Sequence, residues 1–121
     1  MVELKIDLAG RRILVVEDEW VIARETAKAF QKCGAEVVGP AATLDHALKL
    51  VDDLRPTDVA VVDINLRGEM AFPVADALEA RGIRYVFATG YDGPIIPPRF
   101  AKILRCEKPA DPRKIVKALF E

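Results

Sequence analysis

Five polar side chains in this sequence, Glu17, Asp18, Asp63, Thr89 and Lys108, each follow a short apolar run. Such runs are typical of buried parallel strands, which end at a common edge of a sheet, so we expect the five side chains to meet there. Carboxylates collected beside a hydroxyl and a lysine suit a divalent metal and a phosphoryl group, because the metal removes the repulsion between the acids. A metal-bound, accessible aspartate can attack a phosphoryl group and form an aspartyl phosphate.

Each of these residues also has an ordinary structural interpretation when it is considered alone. Acids after a strand are common in solvated loops and at helix N-termini, where the helix dipole favours them. Thr89 could cap a turn before Gly90, and Lys108 could be a solvated surface lysine. Only their common position, at the ends of neighbouring strands, favours a metal and phosphoryl site.

Strand-like and helix-like segments alternate along the whole chain. The expected strands are residues 13–16, 36–39, 59–62, 84–88 and 103–106, with Pro40 ending the second. The expected helices are residues 19–33, 44–54 after the N-cap Thr43, 71–81, and a last helix opened by Asp111 and Pro112. Two glycines and three prolines in residues 90–101 predict a loop with one short helical turn from about Pro98.

This alternation predicts an α/β fold of the flavodoxin-like (βα)5 type. We expect a three-layer sandwich around a parallel five-stranded sheet of order 2-1-3-4-5, with a degenerate fourth helix. At 121 residues, we expect one domain over residues 1–121. In this order the first strand lies between the second and the third, so Glu17, Asp18 and Asp63 fall where such sheets bind ligands.

Charge, apolar runs and cysteine content argue against several classes of protein. A net charge of -1 argues against a nucleic-acid-binding surface. No apolar run has the length of a membrane span, and the N-terminus carries acids and lacks the apolar core of a signal peptide. Cys33 and Cys106 lie far apart and form no Cys-x-x-Cys motif, as expected of reduced thiols. We therefore expect a cytoplasmic protein.

The site residues, and the chain from about Arg12 to Glu121, resemble a response-regulator receiver domain. The resemblance implies Mg²⁺ as the cofactor and gives each residue one role in a phosphorylatable site. These roles are Asp63 as phosphoacceptor, Asp18 as direct metal ligand, Glu17 as its partner through water, Asn65 as metal ligand through its backbone carbonyl, Thr89 as switch hydroxyl, and Lys108 as the lysine of the family.

The sequence departs from the typical receiver at one place. Arg105 stands three residues before Lys108, where receivers of this kind carry tyrosine or phenylalanine, so coupling of Thr89 to a rotating aromatic ring is not expected. Residues 87–91 instead resemble a Phe-Ala-Thr-Gly-x-Tyr-like signature of single-domain regulators, although Tyr91 follows Gly90 directly. Proline also permits a cis Lys108–Pro109 bond, which would turn the lysine inward.

The resemblance implies a receiver that accepts a phosphoryl group onto Asp63 from the phosphohistidine of a sensor kinase or histidine phosphotransfer protein. It implies no enzymatic activity beyond the domain's own phosphorylation and dephosphorylation. The sequence ends at Glu121 without an output domain, so we expect output through protein contacts, or a role as a phosphate sink, in a monomer or weak dimer. An excised receiver of a longer protein is the alternative.

Three other functions compete with this one. A magnesium-dependent phosphohydrolase with Asp63 as nucleophile would want a second acid two residues later, where Asn65 stands. A dinucleotide-binding domain would want a Gly-x-Gly-x-x-Gly motif after the first strand, which is absent. A pseudo-receiver that acts only as a docking module would not need the complete set of acids.

Overall fold

A computed structural model of the protein describes residues 6–90, 96–108 and 111–120. The expectations about Tyr91 and the Lys108–Pro109 bond lie outside these residues. The strands are β1 (Arg12–Val16), β2 (Glu36–Ala41), β3 (Val59–Asp63), β4 (Asn65–Leu66), β5 (Glu69–Met70), β6 (Arg84–Thr89) and β7 (Arg105–Glu107). The helices are α1 (Trp20–Lys32), α2 (Leu44–Asp52), α3 (Phe72–Ala80) and α4 (Pro112–Phe120), with a 3-10 turn at Pro98–Phe100.

The five longer strands form one parallel sheet in the order β2-β1-β3-β6-β7. This is the predicted order 2-1-3-4-5, since β6 and β7 are the fourth and fifth strands of the sheet. The sheet and its helices confirm the flavodoxin-like fold. Strands β2 and β3 lie on opposite sides of β1, so successive strands are added first on one side of β1 and then on the other. Folds of this type bind ligands beyond the carboxyl ends of the strands at such a point.

Apolar side chains alternate between the two faces of the sheet, as buried strands require. On β1, Leu14 and Val16 pack into the core beneath α2 and α3, whereas Ile13 and Val15 pack with α1 and α4. Two helices therefore cover each face and complete the three layers. Among the described residues, no helix combines the length and apolar character needed to cross a bilayer.

Three local details differ from the sequence-based expectations. Pro40 does not end the second strand: β2 runs on to Ala41, with a cis Gly39–Pro40 bond inside it and a shift in the register with β1 between Leu14 and Val16. The last strand of the sheet begins at Arg105, two residues later than expected. A small antiparallel hairpin, β4–β5, follows β3 and was not expected.

Other local predictions are confirmed. Thr43 caps α2, since its hydroxyl oxygen accepts a hydrogen bond from the His46 N–H at 3.2 Å. The Asp111 carboxylate accepts one from the Arg113 N–H at 2.9 Å in the first turn of α4. Where a fourth helix is usual, the described residues contain only the 3-10 turn at Pro98–Phe100.

Candidate functional site

The ends of four neighbouring strands bring the candidate site residues to one edge of the sheet. Val16 pairs with Val62, so Glu17 and Asp63 extend side by side from β1 and β3. Asp63 pairs with Ala88, which places Thr89 one residue beyond on β6. The Lys108 N–H donates to the Thr89 carbonyl at 2.8 Å, just after β7. The sheet register therefore decides which side chains meet.

Lys108 joins the two buried acids of this edge. Its Nζ lies 2.6 Å from Glu17 Oε1 and 2.7 Å from Asp63 Oδ2. Glu17 and Asp63 are only 5% and 4% exposed, so both carboxylates are largely removed from water. One lysine thus neutralises part of the charge of two acids, and the negative charge stays in excess.

Burial and crowding change the protonation of this group. Burial, reinforced by the neighbouring Asp63, raises the pKa of Glu17 to about 7. Burial also raises the pKa of Asp63, although Glu17, Lys108 and the Asn65 N–H oppose that rise. For Lys108, burial acts to lower the pKa, but the two carboxylates outweigh it and the net shift is upward. The lysine therefore keeps its charge, while the two acids repel each other.

A third acid completes a donor set that fits a hard divalent cation. Asp18 follows Glu17, and oxygens of Glu17, Asp18 and Asp63 all lie within 4.8 Å of one another. Carboxylate oxygens are the ligands that Mg²⁺ prefers, and a few of them suffice because this ion keeps several waters. A divalent cation would also relieve the repulsion that raises the pKa values of Glu17 and Asp63. The residues present therefore fit magnesium.

The hairpin after β3 holds Asn65 beside the acids. Its N–H donates to Asp63 Oδ1 at 3.2 Å, and its side-chain Oδ1 accepts from the Gly68 N–H at 2.6 Å. The Asn65 side chain is therefore hydrogen-bonded within the hairpin, while its backbone N–H is hydrogen-bonded to Asp63.

Thr89 lies at the same edge, but its hydroxyl does not contact the acids. The Oγ1 donates to the Gly90 carbonyl at 3.3 Å, a long and weak bond. Thr89 is half-buried, and its carbonyl accepts from the Lys108 N–H. The strand end is therefore in place, whereas the hydroxyl would have to rotate to reach a group on Asp63.

Arg105, the residue at the expected aromatic position, is exposed on the edge strand β7. The aromatic side chains of this half of the molecule lie elsewhere. Phe87 contacts Phe72, Tyr85 and Phe100, with ring centroids 5.5 to 6.3 Å apart. The aromatic cluster therefore fills the core on the face of α2 and α3, and β7 contributes no ring to it.

Sequence reasoning missed one residue of the site, Arg67. Its Nε lies 3.7 Å from Asp18 Oδ2. It occupies the turn between β4 and β5 with φ 56°, followed by Gly68 with φ 88°. An Asn or Gly at position 67 would have signalled a two-residue hairpin, but arginine does not, so only the Gly68 signal was present in the sequence.

Comparison with known proteins places this geometry in a family. The sequence matches no family model and no curated protein. Among solved structures, it is 37% identical to SdrG from Sphingomonas melonis Fr1, with a TM-score of 0.79 over 92% of this chain and 97% of SdrG. The fold also matches, at 16% identity and a TM-score of 0.74, a CheY-like response regulator receiver domain protein from Methanospirillum hungatei JF-1, over 90% of each chain. The chain belongs to the response-regulator receiver family.

A second structure of SdrG bears on what a receiver of this kind does. It is the BeF3-activated conformation of SdrG from Pseudomonas melonis Fr1, and it is 36% identical to this chain over 96% of both, with a TM-score of 0.72. This receiver therefore has a relative, similar along nearly its whole length, for which an activated form has been determined. The expected family and fold are both confirmed.

Proposed function

We propose that this receiver accepts a phosphoryl group on Asp63, from a phosphohistidine of a sensor kinase or histidine phosphotransfer protein, in a magnesium-dependent reaction. The observation that carries the proposal is the contact of Lys108 with both Glu17 and Asp63 in a site with excess negative charge. One buried acid would be enough to pair with Lys108. A surplus of buried carboxylate is what a divalent cation and an aspartyl nucleophile require.

Four residues would hold the magnesium ion: Glu17, Asp18, Asp63 and, through its backbone carbonyl, Asn65. When bound, the ion would supply positive charge to the oxygens of the transferred phosphoryl group. Water between Glu17 and the ion suits the proposed arrangement, because magnesium keeps part of its hydration shell.

Asp63 is the nucleophile in the proposed step. A carboxylate oxygen of Asp63 forms a bond to phosphorus while the bond from phosphorus to the histidine nitrogen breaks. The imidazole leaves with the electron pair of that bond. Lys108, already paired with Asp63 Oδ2 at 2.7 Å, keeps its charge beside the acyl phosphate and stabilises the added oxygens. Water later attacks the phosphorus, the bond from phosphorus to the Asp63 oxygen breaks, and inorganic phosphate leaves while the carboxylate is restored.

Thr89 would report the modification to the rest of the protein. Its hydroxyl bond to Gly90 is weak, so little is lost if the hydroxyl turns to donate to a phosphoryl oxygen on Asp63. Arg105 is exposed and offers no buried ring to follow that motion, so coupling through an aromatic side chain of β7 is not part of this proposal. The BeF3-activated form of SdrG supports this proposal, because beryllofluoride imitates a phosphoryl group bound to a carboxylate.

The phosphohydrolase alternative is less well supported. Asn65 cannot act as a general acid, and its side-chain oxygen accepts from the Gly68 N–H. The pseudo-receiver alternative would leave the buried excess of carboxylate unexplained. As a receiver of a two-component system, the protein is proposed to act in the cytoplasm as a monomer or weak dimer, and to signal by contact with a target protein or to drain phosphate from a kinase.

Transfer from a phosphorylated histidine kinase of the source organism, with labelled phosphate, tests the proposal. The wild type with Mg²⁺ is expected to become labelled, and removal of Mg²⁺ by EDTA is expected to prevent it. Asp63→Asn should abolish labelling, whereas Asp53→Asn, a matched change at an exposed aspartate, should not alter it. Undiminished labelling of Asp63→Asn would contradict the assigned acceptor. Continuous release of phosphate in excess of the protein would favour a phosphohydrolase, and absence of labelling from any kinase or from acetyl phosphate would favour a pseudo-receiver.

A further inference from the structure

Arg67 is placed beside the acids by a backbone conformation that arginine seldom adopts. The turn between β4 and β5 has positive φ at both central residues, 56° at Arg67 and 88° at Gly68. Glycine and asparagine are the favoured residues at such positions, because a larger L-residue brings its Cβ close to the backbone. An unfavourable residue at a strained position indicates a role for its side chain.

The hairpin that carries Arg67 is anchored at several points. Leu66 is 4% exposed, so it fixes the first strand of the hairpin in the core. The Gly68 N–H donates to Asn65 Oδ1, and the Ala71 N–H donates to the Ile64 carbonyl at 2.7 Å. The backbone that carries the Arg67 side chain is therefore held in place, while the guanidinium lies in solvent.

That guanidinium neutralises the acid that Lys108 does not contact. Lys108 pairs with Glu17 and Asp63, whereas Arg67 Nε lies 3.7 Å from Asp18 Oδ2. Within the described part of the chain, Arg67 is the one cation at ion-pair distance from Asp18. The side chain of Asp18 is 12% exposed and that of Arg67 is 81% exposed, so the pair joins a largely buried acid to a solvated arginine.

We propose that Arg67 is the resident counter-cation of Asp18 and competes with magnesium for that carboxylate. The inference rests on the proposed function, in which Asp18 is a metal ligand. Without the metal, the ion pair lowers the electrostatic cost of holding three acids together. A bound divalent cation would draw on the same Asp18 carboxylate, so its binding would weaken the pair with Arg67. Arg67 thereby sets how much magnesium the receiver needs before it can be phosphorylated.

The expected change in magnesium affinity is small because the Arg67 side chain of the ion pair is exposed to solvent. A solvated ion pair of this kind changes an equilibrium by no more than about fivefold, and salt screens it. We expect removal of the Arg67 charge to tighten magnesium binding by about threefold at low ionic strength. This advantage should disappear toward 1 M NaCl, where the screening length falls to about 3 Å.

The experiment is a titration of the metal-free protein with MgCl₂, followed by the fluorescence of Trp20 and by calorimetry. Trp20 lines a cavity of about 530 Å³ together with Asp18 and Arg67, so it lies near the proposed event. Arg67→Asn removes the charge and suits the turn, and it is expected to bind Mg²⁺ about threefold more tightly. Arg67→Lys keeps the charge and should stay close to the wild type.

Lys28→Gln is the matched control, because Lys28 lines the same cavity but has no ion pair with Asp18 within 4.0 Å. Its magnesium affinity should equal that of the wild type. The proposal is overturned if Arg67→Asn leaves the affinity unchanged, if Arg67→Lys tightens it equally, or if Lys28→Gln does so. Failure of the wild type itself to bind Mg²⁺ would instead refute the proposed function on which the inference depends.

Discussion

Two buried charge clusters lie at opposite ends of the same strands, and they are built differently. At the amino end, Asp58 is 3% exposed; its Oδ2 accepts from Arg12 Nη1 at 3.1 Å and from the Arg55 N–H at 2.8 Å. Arg12 also pairs with the exposed Glu36 at 2.7 Å. At the carboxyl end, Glu17 and Asp63 share Lys108, the one cation that pairs with either of them among the described residues.

The difference between the clusters is one of charge balance. The amino-end cluster has one buried acid, Asp58, which faces the guanidinium groups of Arg12 and Arg55 and accepts from a backbone N–H, while its second acid, Glu36, is exposed. The carboxyl-end cluster has two buried acids for one lysine and a third acid at its rim, so burial raises the pKa values of Glu17 and Asp63. An unbalanced cluster weakens the fold and is expected where a ligand supplies the missing charge.

The largest effect is expected when the shared cation is removed. Lys108→Met should lower the free energy of unfolding by about 3 kcal/mol in EDTA, because it leaves two buried acids without a cation. Urea denaturation measures this, with the exposed Lys102→Met as control. MgCl₂ should restore more stability to Lys108→Met than it adds to the wild type. Equal stability of the two variants would mean that the carboxyl-end cluster is more solvated than the burial of its acids indicates.

The second largest change in the free energy of unfolding is expected for a substitution in the amino-end cluster. Asp58→Asn should lower the free energy of unfolding by about 2 kcal/mol, because it converts charge-assisted hydrogen bonds into neutral ones. Magnesium affinity and phosphoryl transfer should not change. A loss of either activity in a folded Asp58→Asn protein would show that the two ends of the strands are coupled.

The change of aspartate to asparagine in the carboxyl-end cluster should raise the free energy of unfolding, whereas Asp58→Asn lowers it. Asp63→Asn removes one of the two competing acids and leaves Glu17 paired with Lys108, so the metal-free protein should gain about 1 kcal/mol. Denaturation with urea in EDTA compares it with Asp58→Asn. If both substitutions destabilise the protein equally, the two clusters do not differ as we describe.

The smallest effect is expected outside both clusters, at Tyr85. Its hydroxyl donates to Glu79 Oε1 at 2.9 Å, and burial followed by this bond raises the tyrosine pKa well above its ordinary value of 10. Tyr85→Phe should cost about 0.5 kcal/mol at neutral pH. Because the folded pKa is the higher one, the contribution is complete below pH 10 and declines as the pH rises toward the folded pKa. Stability of both proteins from pH 7 to 12 measures this, and a difference that grows with alkalinity would contradict it.

The sequence was sufficient for the sheet because its strands are continuous apolar runs with short connections. Those patterns predicted the strand order, and the order predicted that Glu17, Asp63 and Lys108 share an edge. The structure adds that Lys108 contacts Glu17 as closely as Asp63. No pattern in the sequence specifies such a contact, since it depends on the depth of each side chain below the surface.

The details that the sequence did not predict are set by backbone geometry. Proline usually stops a strand, but β2 continues past Pro40 as far as Ala41. Arg67 stands where a hairpin favours glycine or asparagine, so the hairpin β4–β5 was missed. The Thr89 hydroxyl was expected at the acids, but a rotation about one side-chain bond turns it to Gly90. A single side-chain rotamer leaves no periodic signal.

The most direct measurement of the central claim is identification of the modified residue. Wild-type protein is treated with acetyl phosphate and MgCl₂, the acyl phosphate is reduced with borohydride, and the peptides are mapped by mass spectrometry. We predict modification at Asp63 alone, dependent on magnesium and absent in Asp18→Asn. Modification at another residue, or at Asp63 without any dependence on magnesium or Asp18, would contradict the account.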